Sequence, residues 1–184
     1  MDSTTIEIPS ELFAPAESSS YSGVFELPEL VAGPDVYAFA EPLAWNVIVS
    51  NTGDALLVSG TVTGLATTAC ARCLDPIEVD FQGDIEGYFL IGEAETPEDM
   101  DEDEFERLDD SNTIDLVPLM KAALLVDTPL VPLCRDDCKG ICPDCGANLN
   151  EGDCGCASKR EAERLAEAEA ANPFAALKNL TFDE

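Results

Sequence analysis

The sequence predicts an α+β protein in which a curved antiparallel β-sheet or partial barrel carries a core helix, followed by a cysteine-rich module and a short helix. Apolar residues alternate with polar ones between residues 45 and 91, which is the period of half-buried strands. They then recur at helical spacing at about 114–126, and six of the eight cysteines follow residue 133. With 46% hydrophobic residues among 184, the chain has enough apolar material for a core.

Composition shifts along the chain predict three parts. The first is a β-rich domain over residues 1–133, with an acidic loop at 92–110 and the core helix at about 114–126. The second is the cysteine-rich module at 134–157, and the third is a helix with a tail at 158–184.

Four alternating runs predict the strands of the sheet, at residues 45–50, 58–64, 77–82 and 85–91. A turn at 51–54 would join the first two runs as a hairpin. Glycines within these runs permit bulges or strong curvature. Two earlier segments, Thr4 to Ile8 and Val24 to Leu27, would add edge strands.

The acidic loop holds eleven acidic residues and one basic residue, Arg107, between Gly92 and Asp110. It has too little apolar surface to fold alone, which predicts a solvated loop or frayed helix. It is either a docking strip for a basic partner or a simple solvated insertion, and the second interpretation is favoured.

Two helices are predicted after this loop. The core helix begins at Thr113 or Asp115, tolerates Pro118 in its first turn and ends before Pro129. The second helix runs from Lys159 to Ala171, because Ser158 and Glu161 form a capping-box pattern and Asn172-Pro173 stops it. The tail from Phe174 to Phe182 carries apolar residues that could dock or bind.

The charge balance restricts the function. The chain has 38 acidic and 9 basic residues, a formal charge of −29, and no His. Without His there is no Ser-His or Cys-His catalytic pair and no imidazole metal ligand. So negative a surface disfavours broad RNA binding and favours a basic protein partner, although solubility alone would give the same bias. Apolar runs are too short to span a membrane and the start lacks a basic signal region, so we expect a cytoplasmic protein.

The cysteines predict structural zinc, because reduced thiols in pairs suit one or two tetrahedral Zn²⁺ sites. The segment Cys142-Pro143-Asp144-Cys145-Gly146 is typical of a zinc knuckle, whose backbone N–H groups point at the sulfurs. The simplest pairing places Cys142, Cys145, Cys154 and Cys156 in one site and Cys70, Cys73, Cys134 and Cys138 in a second. In an alternative pairing, Cys134 or Cys138 replaces Cys154 or Cys156, since a one-residue spacing is unusual for two ligands of one metal.

Other uses of the cysteines are weaker interpretations. The spacings match neither ferredoxin pattern for iron–sulfur clusters. A thioredoxin-type pair would need a helix N-terminus, whereas Cys70 and Cys73 lie between predicted strands. A catalytic zinc would require a distinguished general base, and a nuclease would require carboxylates converging on Mg²⁺ rather than the contiguous run from Asp99 to Glu104.

Four segments resemble the YceD family of large ribosomal RNA subunit accumulation proteins of bacteria and plastids. They are Cys70-Ala71-Arg72-Cys73-Leu74, Ile114-Asp115-Leu116, the cysteine-rich run from Cys134 to Asn150 followed by Cys154-Gly155-Cys156, and the tail from Asn172 to Leu180. The resemblance covers about residues 45–182, and the tail departs from it with Asn-Pro-Phe where Asp-Pro-Arg is usual.

The resemblance implies a role in synthesis, processing or stability of 23S ribosomal RNA, with a basic large-subunit ribosomal protein or a precursor particle as partner. It carries over no catalytic residues, so the leading hypothesis is a non-enzymatic assembly factor without a small-molecule substrate. The alternative is a cytosolic thiol redox protein or redox sensor that uses Cys70 and Cys73. Direct RNA contact is left open, and its candidate residues are Arg72, Arg135, Lys139, Lys159, Arg160 and Arg164.

Overall fold

A computed structural model describes residues 4–96, 100–101 and 104–171 of the chain. They form two compact units. The first, here called the β unit, comprises the described chain up to Ala69 together with Pro76–Pro132. The second, the cysteine unit, comprises Cys70–Asp75 and the described chain from Leu133 onward. The predicted α+β class with a mostly antiparallel sheet is confirmed.

The elements follow in chain order. The strands are β1 (Thr5–Glu7), β2 (Ser18–Phe25), β3 (Glu29–Ala32), β4 (Asp35–Phe39), β5 (Leu43–Asn51), β6 (Ala55–Ala69), β7 (Pro76–Leu90), β8 (Glu106–Arg107) and β9 (Thr113–Asp115). The helices are α1 (Val117–Asp127) and α2 (Cys156–Ala170), and a single 3₁₀ turn covers Ser10–Phe13.

Strand β6 organises the main sheet. It pairs with β7 over its whole length, from Ala55 opposite Leu90 to Ala69 opposite Pro76. It also pairs with β5 and with β4, which in turn pair with β2 and β3, and all of these ladders are antiparallel. The predicted hairpin turn at residues 51–54 is confirmed, and the two runs predicted at 77–82 and 85–91 form the single strand β7.

The core lies between the inward face of this sheet and α1. Met120, Ala123 and Leu124 of α1 are buried with the inward side chains of the strands. Gly83 of β7 permits the close approach, because a Cβ there would lie 2.7 Å from the carbonyl carbon of Ala123. Burial of a large apolar side chain contributes about 1.5–3 kcal/mol, so this interface stabilises the β unit.

The predicted start of the core helix is wrong by about three residues. Thr113–Asp115 forms β9, where Ile114 pairs with Ile6 of β1 in a separate two-stranded sheet. The helix begins at Val117, whose backbone N–H donates to the Asp115 side chain at 3.0 Å. The expected placement of Pro118 in the first turn and the end before Pro129 are confirmed.

The acidic loop also differs from the expectation at one end. Glu106 and Arg107 form β8, which pairs in parallel with β7, so this part is neither a free loop nor a frayed helix. The Arg107 guanidinium donates to the carbonyls of Gly92 and Ala94, closing the segment onto the end of β7. Residues 97–99 and 102–103 lie outside the described chain.

Helix α2 begins at Cys156, three residues before the predicted start. Gly155 precedes it with φ 75°, a left-handed conformation, and its N–H donates to the Asp153 side chain at 2.9 Å. Ser158 therefore lies within the helix and the predicted capping box does not form. The predicted tail from Phe174 to Phe182 lies outside the described residues.

Candidate metal centres

Eight free cysteine thiols in the cysteine unit converge into two groups of four. The first, here called the hairpin cluster, consists of Cys70, Cys73, Cys134 and Cys138. The second, the CPDC cluster, consists of Cys142, Cys145, Cys154 and Cys156. Within each group all the sulfurs lie within 4.8 Å of one another. The structure thus brings together the same fours as the simplest pairing from the sequence, and each group could hold a metal ion.

The sulfur spacing in the hairpin cluster suits a tetrahedral ion. The Sγ atoms of Cys70 and Cys138 are 3.8 Å apart, and those of Cys73 and Cys134 are 3.6 Å apart. Four sulfurs at about 2.3 Å from a tetrahedral Zn²⁺ are separated by about 3.8 Å. A disulfide would need sulfurs at about 2.05 Å, so neither pair is bonded in this way.

Both clusters are built on the same backbone turn. In the loop between β6 and β7, the N–H of Leu74 donates to the carbonyl of Cys70 at 2.9 Å. In the CPDC cluster, the N–H of Gly146 donates to the carbonyl of Cys142 at 2.8 Å. The residue after the second cysteine is left-handed in both turns, with φ 63° at Leu74 and 73° at Gly146. Sequence analysis identified only the second turn, because Leu is an unusual residue for a left-handed position.

The turn geometry favours thiolates at the first cysteine. Burial acts to raise the pKa of Cys70, but backbone N–H groups directed at its sulfur lower the pKa to about 6. At Cys142, backbone N–H groups led by that of Cys145 lower the pKa to about 7. Such N–H donors stabilise a charged sulfur whether it is free or bound to a metal.

Other thiols in the same clusters resist ionisation. Hydrogen bonding to the Cys145 thiol, followed by that to Cys154, raises the pKa of Cys156 to about 12. Burial raises the pKa of Cys134. Because like charges this close repel each other, all four sulfurs ionise together only when a cation balances them. The donor set therefore fits a divalent, thiol-binding ion.

Cysteine also dominates the interior of this unit. Among its described residues, every buried hydrophobic side chain is a cysteine: Cys70, Cys73, Cys138 and Cys142. Helix α2 has no buried residue, although Arg160 pairs with Asp144 of the CPDC turn at 3.0 Å. A surface ion pair contributes little, so apolar packing and salt bridges cannot account for the stability of the unit.

Two asparagines support the hairpin cluster, and sequence analysis did not identify them as functional. The Asn150 Nδ2 donates to the Cys138 sulfur at 3.3 Å, which lowers the pKa of this thiol. Asn148 donates to the Asp75 carboxylate at 2.8 Å. Both lie in the cysteine-rich run on which the resemblance rests, but neither residue type is a usual metal ligand in a thiolate site.

Several candidate RNA-contact side chains have partners inside the cysteine unit. Arg72 donates to the carbonyls of Asp136 and Cys138, and Arg135 donates to the Asn150 side chain at 2.8 Å. Arg160 and Arg164 form ion pairs, and all six side chains are exposed. The structure places all six in the cysteine unit.

The fold and the two clusters define an acidic α+β protein with a cysteine-rich unit that could hold two metal ions. The chain belongs to the YceD family, because the model of the family described as large ribosomal RNA subunit accumulation protein YceD matches residues 58–181. The family match gives no support to the redox alternative, and Cys70 and Cys73 lie in a loop between antiparallel strands rather than at a helix N-terminus.

Curated relatives come from mycobacteria. Uncharacterized proteins of Mycobacterium tuberculosis and Mycobacterium bovis are each 38% identical over 101 residues, which are 55% of this chain and 48% of theirs. One of Mycobacterium leprae is 31% identical over 114 residues, 62% of this chain and 52% of its own. The chain spans about half the length of the curated relatives it matches. No solved structure matches it.

Neither of the two helices in the described chain is long and apolar enough to span a lipid bilayer.

Proposed function

We propose that this protein is a non-enzymatic factor that supports the accumulation of 23S ribosomal RNA during assembly of the large ribosomal subunit in the cytoplasm. The family match over residues 58–181 is the observation that carries this proposal. The partner is a basic large-subunit ribosomal protein or a precursor particle, and no small-molecule substrate is involved.

The metal is proposed to be zinc, held as one ion by each cluster. Zn²⁺ would cross-link four chain positions in each closed site and leave no coordination position for a substrate. The sulfur spacing, the all-thiol donor set and the lack of other buried apolar side chains in the described cysteine unit support this assignment. The chain's contribution is to direct backbone and Asn150 N–H groups at the sulfurs and to hold the turns in register.

The partner-binding surface is proposed to lie on the β unit. The sequence over residues 1–69 and 76–132 contains 26 acidic residues against two basic ones, Arg107 and Lys121. Strand β7 alone carries Glu78, Asp80, Asp84 and Glu86 as exposed side chains at alternate positions on one face. A field of one sign accelerates association with an oppositely charged partner and weakens with salt.

Direct RNA contact, if made, is assigned to the cysteine unit. The six candidates are the basic residues of its described chain, and Lys139 and Lys159 are the exposed lysines among them. Substituting both by Gln should reduce cross-linking to RNA without altering capture of ribosomal proteins. Equal cross-linking of this variant and the wild type would contradict the assignment.

The test is capture of the tagged full-length protein from gently lysed cells at low and at high salt. The expected result is co-capture of 23S precursor RNA and large-subunit proteins at low salt, with partial loss at high salt. A variant with Glu78, Asp80, Asp84 and Glu86 changed to the matching amides should capture several-fold less. The matched control changes the four exposed carboxylates of α2 to amides, which leaves the β unit intact. They are Glu161, Glu163, Glu167 and Glu169.

Three outcomes of this capture differ in meaning. Loss in the β7 variant but not in the α2 control supports binding through the β unit. Equal loss in both indicates that net charge, rather than a defined face, determines capture. A clean protein with no ribosomal material at either salt contradicts the assembly role.

A further inference from the structure

A loop of the CPDC cluster contacts the hairpin cluster. Residues 147–151 lie in the chain between Cys145 and Cys154, which both belong to the CPDC cluster. Yet the side chains of Asn148 and Asn150 in this loop are hydrogen-bonded to the other cluster's segments. The loop that closes the CPDC cluster therefore also holds residues of the hairpin cluster in place.

Asn150 satisfies three groups around one sulfur. Its Nδ2 donates to the Cys138 Sγ at 3.3 Å, while its Oδ1 accepts from the Lys139 backbone N–H at 2.9 Å and from the Arg135 guanidinium at 2.8 Å. One amide thus fixes the position of Cys138 and of the chain on both sides of it. Such partners of a metal-binding side chain orient it, and their loss typically lowers metal affinity about 10–100-fold.

Asn148 holds Asn150 in place and reaches the other half of the hairpin cluster. Its Oδ1 accepts from the Asn150 backbone N–H at 3.0 Å, and its Nδ2 donates to Asp75 at 2.8 Å. The carbonyl of Asp75 accepts from the backbone N–H of Cys70 at 2.8 Å. The loop is therefore connected to Cys70 as well as to Cys138.

Backbone hydrogen bonds complete this connection. The N–H of Leu149 donates to the carbonyl of Gly140 at 2.9 Å, and the N–H of Ile141 donates to the carbonyl of Arg72 at 3.0 Å. Ile141 and Asn148 also form an isolated antiparallel bridge. Any ion that orders the loop between Cys145 and Cys154 orders these contacts at the same time.

We propose that the two metal sites are thermodynamically coupled, with Asn150 as the positioning residue that transmits the coupling. This rests on the metal binding put forward under the proposed function. Binding at the CPDC cluster restricts the loop and places the Asn150 amide at Cys138. The hairpin cluster then loses less conformational entropy when it binds its own ion. By linkage, binding at the hairpin cluster strengthens the CPDC cluster by the same factor.

The test uses the reduced, metal-free full chain, titrated with Zn²⁺ against a chromophoric chelator. In one variant Cys154 and Cys156 are changed to Ser, and the affinity of the hairpin cluster is expected to fall about tenfold or more. In the reciprocal variant Cys70 and Cys73 are changed to Ser, and the CPDC cluster should lose affinity by an equal factor. Circular dichroism of the β-sheet reports whether each variant is folded.

Asn150→Ala tests the transmitting residue. It should lower the affinity of the hairpin cluster about tenfold in the intact chain and have a smaller effect when Cys154 and Cys156 are already Ser. It should also speed alkylation of Cys138 relative to Cys142. Glu151→Gln, at an exposed position of the same loop, is the matched control and should leave both affinities unchanged. Asn148→Ala, which loosens Asn150 without removing it, should act in the same direction but less.

The outcomes separate this inference from the proposed metal sites. Two ions that bind with affinities unaffected by loss of the other cluster overturn the coupling and leave the metal sites standing. No binding of Zn²⁺ to the wild type overturns both. Equal effects of Asn150→Ala and Glu151→Gln overturn the role of Asn150, and the Asn148→Ala result decides the case if Asn150→Ala fails to fold.

Discussion

The β unit and the cysteine unit are stabilised in different ways. In the β unit, side chains such as Leu43, Leu56, Ile85 and Leu124 are fully buried in the apolar core. In the described cysteine unit, the buried hydrophobic side chains are cysteines. The first can be stable through apolar burial, whereas the second is too small and too polar to be stable without a cross-link. A bound metal is the cross-link that its sulfurs fit.

The two units also differ in charge. The sequence over residues 1–69 and 76–132 has 26 acidic and two basic residues, while the sequence over residues 70–75 and 133–184 has 12 acidic and seven basic ones. The excess negative charge of the chain is therefore concentrated where the apolar core is strong enough to tolerate self-repulsion. The less acidic cysteine unit adds little repulsion to clusters that already gather four sulfurs each.

Metal removal should give the largest difference between the units. A strong chelator under reducing conditions is expected to expose all eight thiols and abolish amide protection in α2, while strands β5 to β7 stay protected. A structural zinc site contributes roughly 10 kcal/mol or more of folding free energy, which no other contact among the described residues of the cysteine unit replaces. Alkylation followed by mass spectrometry and amide hydrogen exchange measure the two effects.

If the amides of α2 stayed protected from exchange after complete metal removal, the cysteine unit would not depend on metal for its stability. Protein treated with reductant but no chelator is the control and should show slow alkylation of both clusters.

A cavity in the core of the β unit should destabilise this unit without affecting metal binding by the cysteine unit. Leu124 of α1 is fully buried, so Leu124→Ala should destabilise the β unit by about 2–5 kcal/mol. Zn²⁺ stoichiometry should stay unchanged. The neighbouring Leu125 is 46% exposed, and Leu125→Ala should cost less than about 1 kcal/mol. Urea unfolding followed by the fluorescence of Trp45 measures both, and similar losses in the two variants would contradict the proposed core.

Sequence patterns predicted the β unit where pairing is local. The hairpin of β5 and β6 followed from alternation and an Asn-Thr-Gly-Asp turn, because neighbouring strands leave a period of two. The start of α1 was predicted wrongly because Ile114 pairs with Ile6, more than a hundred residues earlier. Apolar spacing over 114–126 cannot distinguish a strand residue followed by a helix from one longer helix.

In the cysteine unit, the sequence predicted the cysteines that cluster but not the residues that hold them in place. The simplest pairing from the spacing groups the eight cysteines as the structure does. The spacing also allowed an alternative pairing, and only the folded positions of the loops distinguish the two. The start of α2 was missed because Gly155 and Asp153, rather than Ser158, set its first turn. Asn148 and Asn150 gave no signal, because their role depends on a contact with residues far away in the sequence.

The two cysteine turns allow a smaller test within the cysteine unit. Gly146→Ala should destabilise this unit by about 1 kcal/mol, because φ there is 73° and a left-handed residue with a Cβ is disfavoured. Leu74 is left-handed too and 63% exposed, so Leu74→Gly should relieve a similar cost at little loss of burial. The denaturant midpoint of metal release measures both effects, which should have opposite signs.

Gly152→Ala serves as the control for these turns. Its added Cβ meets open space, and its φ lies outside the left-handed region, so it should leave the midpoint unchanged or raise it slightly. Destabilisation by Leu74→Gly would indicate that the Leu74 side chain, and not its backbone angle, is what the turn requires.

The smallest expected effect concerns acid sensitivity of the β unit at Asp109. The Ser111 hydroxyl, together with nearby backbone N–H groups, lowers the pKa of this carboxyl. Because the folded pKa lies below the unfolded value of about 3.9, the charged form stabilises the β unit above that pH. The contribution is lost as the pH falls through the folded pKa.

Asp109→Asn should therefore destabilise the β unit slightly at neutral pH and make its stability fall less steeply below about pH 4. Asp110→Asn removes a charge at the next position and is the control for net charge. Urea unfolding at a series of pH values measures the slopes, and equal slopes in the two variants would show that total charge, rather than the Asp109–Ser111 hydrogen bond, sets the acid response. Such a result would mean that acid acts on the β unit through its overall charge, since protonation of the carboxylates relieves their mutual repulsion.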